Sequence, residues 1–240
     1  MKIAATTLGE TAGDLLSMTM EVGYAVSSLI LIGGFFVTLA FQLRAKKYHP
    51  LLYWSVILST STAGTTISDY MDRTLGLGYA TGSAILLGIL LAIFAIWKFS
   101  ANSMSVVEIR TLKVELLYWT AILFSNTLGT ALGDFLADDS GLGFAGGALL
   151  IGGALLLVLG LTFLTRISPV FVFWVAFVLT RPFGATMGDV LTKTNAQGGL
   201  DLGTVGSSLV LVSILLCAIV YTMFALKRQA ANTAVEIKPS

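Results

Sequence analysis

Four aspartates, each five residues after a glycine, close four related nine-residue segments: TTLGETAGD (6–14), STAGTTISD (61–69), NTLGTALGD (126–134) and RPFGATMGD (181–189). Residues four apart share a helix face, so as helices the copies present polar ladders. These are Thr6, Glu10, Asp14; Ser61, Thr65, Asp69; Asn126, Thr130, Asp134; and Arg181, Ala185, Asp189. Carboxylate, hydroxyl and amide oxygens of this kind suit hard cations such as Mg, Mn, Ca or Na, or protons. Glu10, Asp14, Asp69, Asp134 and Asp189 are therefore the candidate metal ligands. Together with Thr65, Asn126, Thr130 and Arg181 they make the candidate substrate- or ion-binding set. Arg181 is also a strong anion partner, which keeps a small organic anion open as an alternative cargo.

One such aspartate is as readily a turn cap, and a threonine in a helix as readily bonds its own backbone. Four carboxylates at one depth, with Glu10 and Arg181 deeper, favour a polar cavity instead, because a charge at a membrane centre costs about 3 kcal/mol or more unless paired or hydrated. Glu10 and Arg181 stand where the copies break their own pattern. If the copies close into a ring, the first and fourth become neighbours, and the two charges are expected to meet in the core.

Chemistry of other kinds finds little to work with. There is no HExxH, GxSxG or Walker sequence, so no enzyme activity and no catalytic residue is expected. No cofactor is implied either. The single histidine, His49, falls in a basic loop, and the single cysteine, Cys217, reads as a small core residue. Asp189 and Lys193 have a spacing similar to that on the retinal-binding helix of microbial rhodopsins, but Lys193 comes at the helix end and another complete helix follows.

The elements that must position the ladders are membrane helices. Of 240 residues 56% are hydrophobic and only 11% charged, far from the quarter or so of charged residues a soluble domain uses. The net charge of +1 gives no reason to expect a nucleic-acid partner. Stretches long enough to cross a bilayer, about 20 residues, lie near 24–43, 51–71, 79–97, 115–137, 143–165, 169–191 and 204–226. Residues 3–20, short and polar, make an eighth that the others must shield. No cleavable leader is expected at the start, so the first helix is read as part of the mature protein.

Each copy is a helix, a short turn and a second helix. Trp54, Trp119 and Trp174 stand ten residues before the ladder glycine in copies two to four, each after an aromatic; the first copy begins after that position. A second glycine follows the aspartate by nine residues (Gly23, Gly78, Gly143), with five more inserted before Gly203. Pairs such as Gly9 and Gly13, or Gly129 and Gly133, let backbones approach closely. The first helices of the copies should therefore fill the centre, and the apolar second helices should face lipid. The fold expected is an all-α integral membrane protein of about eight transmembrane helices, four parallel two-helix repeats about a pseudo-fourfold or nested twofold axis along the membrane normal. The repeats cover 1–43, 50–99, 115–165 and 169–227 of a single domain, and 228–240 is a flexible cytoplasmic tail.

Basic residues mark the cytoplasmic side. Lys2, Arg44, Lys46, Lys47, Lys98, Arg110, Lys113, Arg166, Lys227, Arg228 and Lys238, eleven of fourteen, fall on one side of such a bundle. Both termini are thus expected in the cytoplasm.

These residues resemble a known group, bacterial membrane proteins made of four tandem copies of the domain of unknown function 347. The TTLGETAGD opening and the recurrent YW…GT…D pattern carry the resemblance along nearly the whole chain. It implies the fold and a bacterial inner-membrane location, and it implies no particular activity. The function expected from the residues is secondary transport or export of a small cation, a metal ion or one coupled to protons. The contrasting expectation is a non-transporting scaffold or sensor whose polar core is structural. The partners expected are the lipid bilayer and a small solute, and the sequence leaves room for a homo-oligomer.

Overall fold

The computed structural model describes residues 1–45, 47–100, 111–164 and 166–236, with side chains to 229, and these hold eight α-helices and no strand. The helices are α1 (Lys2–Asp14), α2 (Tyr24–Arg44), α3 (Pro50–Asp69), α4 (Tyr79–Ser100), α5 (Leu112–Asp134), α6 (Gly143–Leu164), α7 (Pro169–Thr192) and α8 (Thr204–Glu236). Proline at the first turn of α3 and α7 starts those helices at no hydrogen-bond cost. After Asp14, Asp69 and Asp134 the first helix of the copy continues as a π-helical turn, Leu15–Thr19, Tyr70–Thr74 and Phe135–Asp139. The fourth copy uses its five extra residues for a 3₁₀ turn, Asn195–Gln197. The glycine that recurs at the start of each second helix has a structural reason. Gly23, Gly78, Gly143 and Gly203 all take positive φ, between 68 and 80°, where a side chain would be strained.

The four first helices form a closed ring in which α1 packs on α3 and α7, and α5 on α3 and α7. The ladder glycine of each copy lies against the ladder of the next: Gly9 on Ser61, Gly64 on Asn126, Gly129 on Arg181, and Gly184 back on Thr6. A Cβ on Gly64 would stand 2.9 Å from the Thr127 amide nitrogen, so close backbone contact sets the ring's diameter. The second helices stay outside, α2 on α3, α4 on α5, α6 on α7 and α8 on α1. Each therefore leans on the central helix of the following copy and ties the copies together.

The outer faces are apolar and bare, with Leu29, Phe36, Leu91, Leu149, Leu157 and Phe224 exposed. Five helices, α2, α4, α6, α7 and α8, are long and apolar enough to cross a membrane. α1 is only 13 residues long, and the ladders lower the hydropathy of α3 and α5; all three lie deep in the ring. A girdle of exposed leucine and phenylalanine around a buried polar centre inverts the soluble pattern and fits a membrane protein.

Two expectations change, for Cys217 and for the tail. Cys217 is exposed on the outward side of α8, not in the core. Trp119 and Trp174, which the sequence alone does not place, are buried with Trp97 and Tyr118 in an aromatic cluster at the basic end of the ring. The first part of the segment expected as a flexible tail, 228–236, continues α8 as helix. Lys46, Arg110, Lys238 and residues 237–240 lie outside the described residues.

Candidate functional site

Three rungs of side chains line the ring. Thr6, Ser61, Asn126 and Arg181 make the first, Glu10, Thr65, Thr130 and Ala185 the second, and the four aspartates the third. All twelve are buried.

Arg181 starts on the first rung and its guanidinium reaches the second, where Ala185 of its own helix leaves room. Nη1 stands 2.9 Å from Glu10 Oε2, so the expected pair is present. Nη2 donates to the Thr65 hydroxyl, to the Thr130 hydroxyl at 2.7 Å and to the Ser61 carbonyl at 3.2 Å. The Thr65 hydroxyl in turn lies 3.2 Å from Glu10 Oε2, and that of Thr130 lies 3.4 Å from it. Four helices thus converge on one fully buried cation, and the axis is blocked there. Nε alone has no partner among the described residues. Asn126 stays apart from this cluster, donating 2.9 Å to the Thr60 hydroxyl and accepting from Lys2 at 3.5 Å. Lys2 lies over the Phe177 ring and caps the basic end.

The third rung is organised by two cations outside the candidate set read from the sequence, Arg73 and Lys193. Arg73 meets Asp69 at 3.0 Å and Asp134 at 3.5 Å, and Lys193 meets Asp189 at 3.2 Å and Asp14 at 3.4 Å. Each binds the aspartate four residues earlier in its own copy and the aspartate of the next copy around the ring. The i,i+4 spacing was legible in the sequence, whereas the second partner depends on ring closure. Burial works against the Lys193 ammonium, but Asp189 and Asp14 outweigh it and hold its pKa above the ordinary value. Copies one and three carry Met18 and Asp138 at the equivalent position, so the outer end is held by two latches, not four.

Glu10, Asp134 and Asp189 each offer one carboxylate oxygen, and these oxygens lie within 4.8 Å of one another. Asp14 and Asp69, expected as ligands too, remain in the latches outside this group of three. From Arg181 outward the axis therefore holds five carboxylates and three basic groups, 3 − 5 = −2 when all are ionised. Oxygens from three helices at that spacing suit a hard cation or shared protons.

Asp72, in the π-helical turn between α3 and α4, is buried against Gly82 and accepts from the Ser68 hydroxyl at 3.2 Å. Burial pushes its carboxyl up to about 6, against the pull of Ser68 and Arg73.

A family model described as Repeat of Unknown Function (DUF347) matches residues 1–48, 52–103, 117–168 and 172–228. No curated protein and no solved structure matches the chain.

Proposed function

We propose that this chain, which belongs to the DUF347 repeat family, is a secondary transporter or exporter of a small cation. In this proposal eight helices cross the bacterial inner membrane with both termini in the cytoplasm, and the four copies run parallel about an axis along the membrane normal. The observation that carries it is the convergence of Glu10, Asp134 and Asp189 in an axial column with a charge deficit of two. One divalent cation or two protons would neutralise that deficit, which suits exchange of a metal ion for protons. Arginine keeps its charge at any working pH, so Glu10 is the partner that takes up a proton or cation and releases Arg181. Pro182, beside Arg181 inside α7, removes a helix hydrogen bond at that level and gives the barrier a place to bend. No catalytic step is assigned.

Both terminal nitrogens of Arg181 are occupied by Glu10, hydroxyls and carbonyls, and only Nε is left without a partner among the described residues, which favours a cation over an organic anion as cargo. The same enclosure supports the second reading, a scaffold or sensor whose polar core only joins helices. The test is uptake by the full chain in proteoliposomes containing a pH dye, challenged with Mn, Mg, Ca and Na. A saturable, cation-driven proton flux that Glu10→Gln abolishes is expected. Absence of flux with every ion, together with no ion-dependent gain in melting temperature, would overturn transport and leave the scaffold.

A further inference from the structure

An apolar cleft of about 500 Å³ opens sideways between α4 and α7, away from the axial column. Leu87, Leu91 and Phe94 line it from α4, and Trp174 and Val178 from α7, with Ser168 at its mouth. Leu87, Leu91, Phe94 and Lys98 follow helical spacing along one face of α4, so the cleft runs toward an exposed lysine. At the same end α7 begins. Its N-cap Ser168 makes no side-chain capping bond, and Arg166, two residues earlier, is exposed. Neither Lys98 nor Arg166 has an ion-pair partner among the described residues. That end therefore brings Lys98 and Arg166, by their positions along the chain, to the same side as the start of α7, where Pro169 has no N–H but the next amides lack partners within the helix, a combination that attracts phosphate.

The dimensions match one leaflet. Eleven residues from Leu87 to Lys98 rise about 16 Å at 1.5 Å each, and half of a ~30 Å hydrocarbon core is about 15 Å. We infer that this cleft is a binding site for an anionic glycerophospholipid of the leaflet on the basic side. One acyl chain lies against Trp174, and the phosphate is held by Lys98, Arg166 and the start of α7. The inference rests on the chain spanning a bilayer, not on transport.

Trp174 supplies the probe, because bromine on an acyl chain quenches a tryptophan it touches. The full chain, reconstituted in phosphatidylcholine, would receive a small fraction of phosphatidylglycerol or phosphatidylcholine carrying the same dibrominated chains. Quenching that reaches its midpoint at a several-fold lower fraction of the brominated phosphatidylglycerol is expected. Replacing both exposed cations, Lys98→Gln with Arg166→Gln, should abolish that preference without unfolding the protein, and Trp174→Phe should remove the quenched component. Equal quenching by the two lipids in the unsubstituted chain would overturn the site. Failure of either lipid to quench would also overturn it, because a second copy or another protein segment would then cover the cleft.

Discussion

Neutralising Glu10 and Arg181 singly and together tests whether the pair acts as a unit. At 2.9 Å and an effective dielectric constant of about 20, the gross attraction is about 6 kcal/mol, and much of it offsets taking both ions out of water. Glu10→Gln keeps an acceptor for Nη1 but leaves a fully buried guanidinium with only neutral partners, and should cost about 3–5 kcal/mol. Arg181→Gln leaves a buried carboxylate held by the Thr65 and Thr130 hydroxyls and should cost a similar amount. Carrying both substitutions removes both charges, and two amides can bond each other, so the total loss should be far less than the sum, with a coupling of about 3 kcal/mol. Reversible unfolding in mixed micelles by a denaturant titration measures all four states. Additivity within about 0.5 kcal/mol would refute a coupled pair at the axis, and with it the role given to Glu10 in releasing Arg181.

Gly129→Ala puts a Cβ into Arg181 and Pro182 and should destabilise by about 1–3 kcal/mol; Gly153→Ala, on the open side of α6, should not, and thermal melts separate the two. For Asp72, an ordinary carboxyl value of 3.8 raised to about 6 means that folding disfavours the charged form, so its contribution is fully present below pH 4 and is lost as the pH rises through 6. Asp72→Asn should therefore stabilise by about 1–2 kcal/mol at pH 7.5, allowing for partial hydration at the helix end, and by little at pH 4; an equal effect at both values would count against this assignment. A reporter fused to the C-terminus should be active only in the cytoplasm, and activity outside would reverse the proposed orientation.

The helices and their order were legible because the period of the ladder and the length of the apolar runs are local properties. The expected boundaries for 24–43 and 143–165 fall within a residue of α2 and α6. Glu10 and Arg181 could be paired from sequence because both break a fourfold pattern at adjacent rungs. The latches could not be read in full, since Arg73 to Asp134 and Lys193 to Asp14 are contacts between copies that exist only once the ring closes. Nor could Trp119 and Trp174 be placed. An aromatic residue at the end of a membrane helix has the same local signature whether it faces headgroups or a neighbouring ring.

The two irregularities have one geometric cause. A space enclosed by four helices has room for a single guanidinium at its centre, so a basic residue there can come from one copy only. Two other copies must offer small acceptors at the same height, and they do so with the hydroxyls of Thr65 and Thr130, while Ala185 on the arginine's own helix leaves the space open. One positive charge then calls for one carboxylate, which is Glu10, supplied by the copy that ring closure makes the neighbour of the fourth. At the outer end there is space away from the axis. A cation can sit between each two aspartates there, so two latches serve four carboxylates and each spans a boundary between copies. Breaking the repeat at the centre and halving it at the rim are thus both consequences of packing four like helices around one line, and the uncompensated carboxylate charge left between those two levels is where a mobile cation would be stabilised.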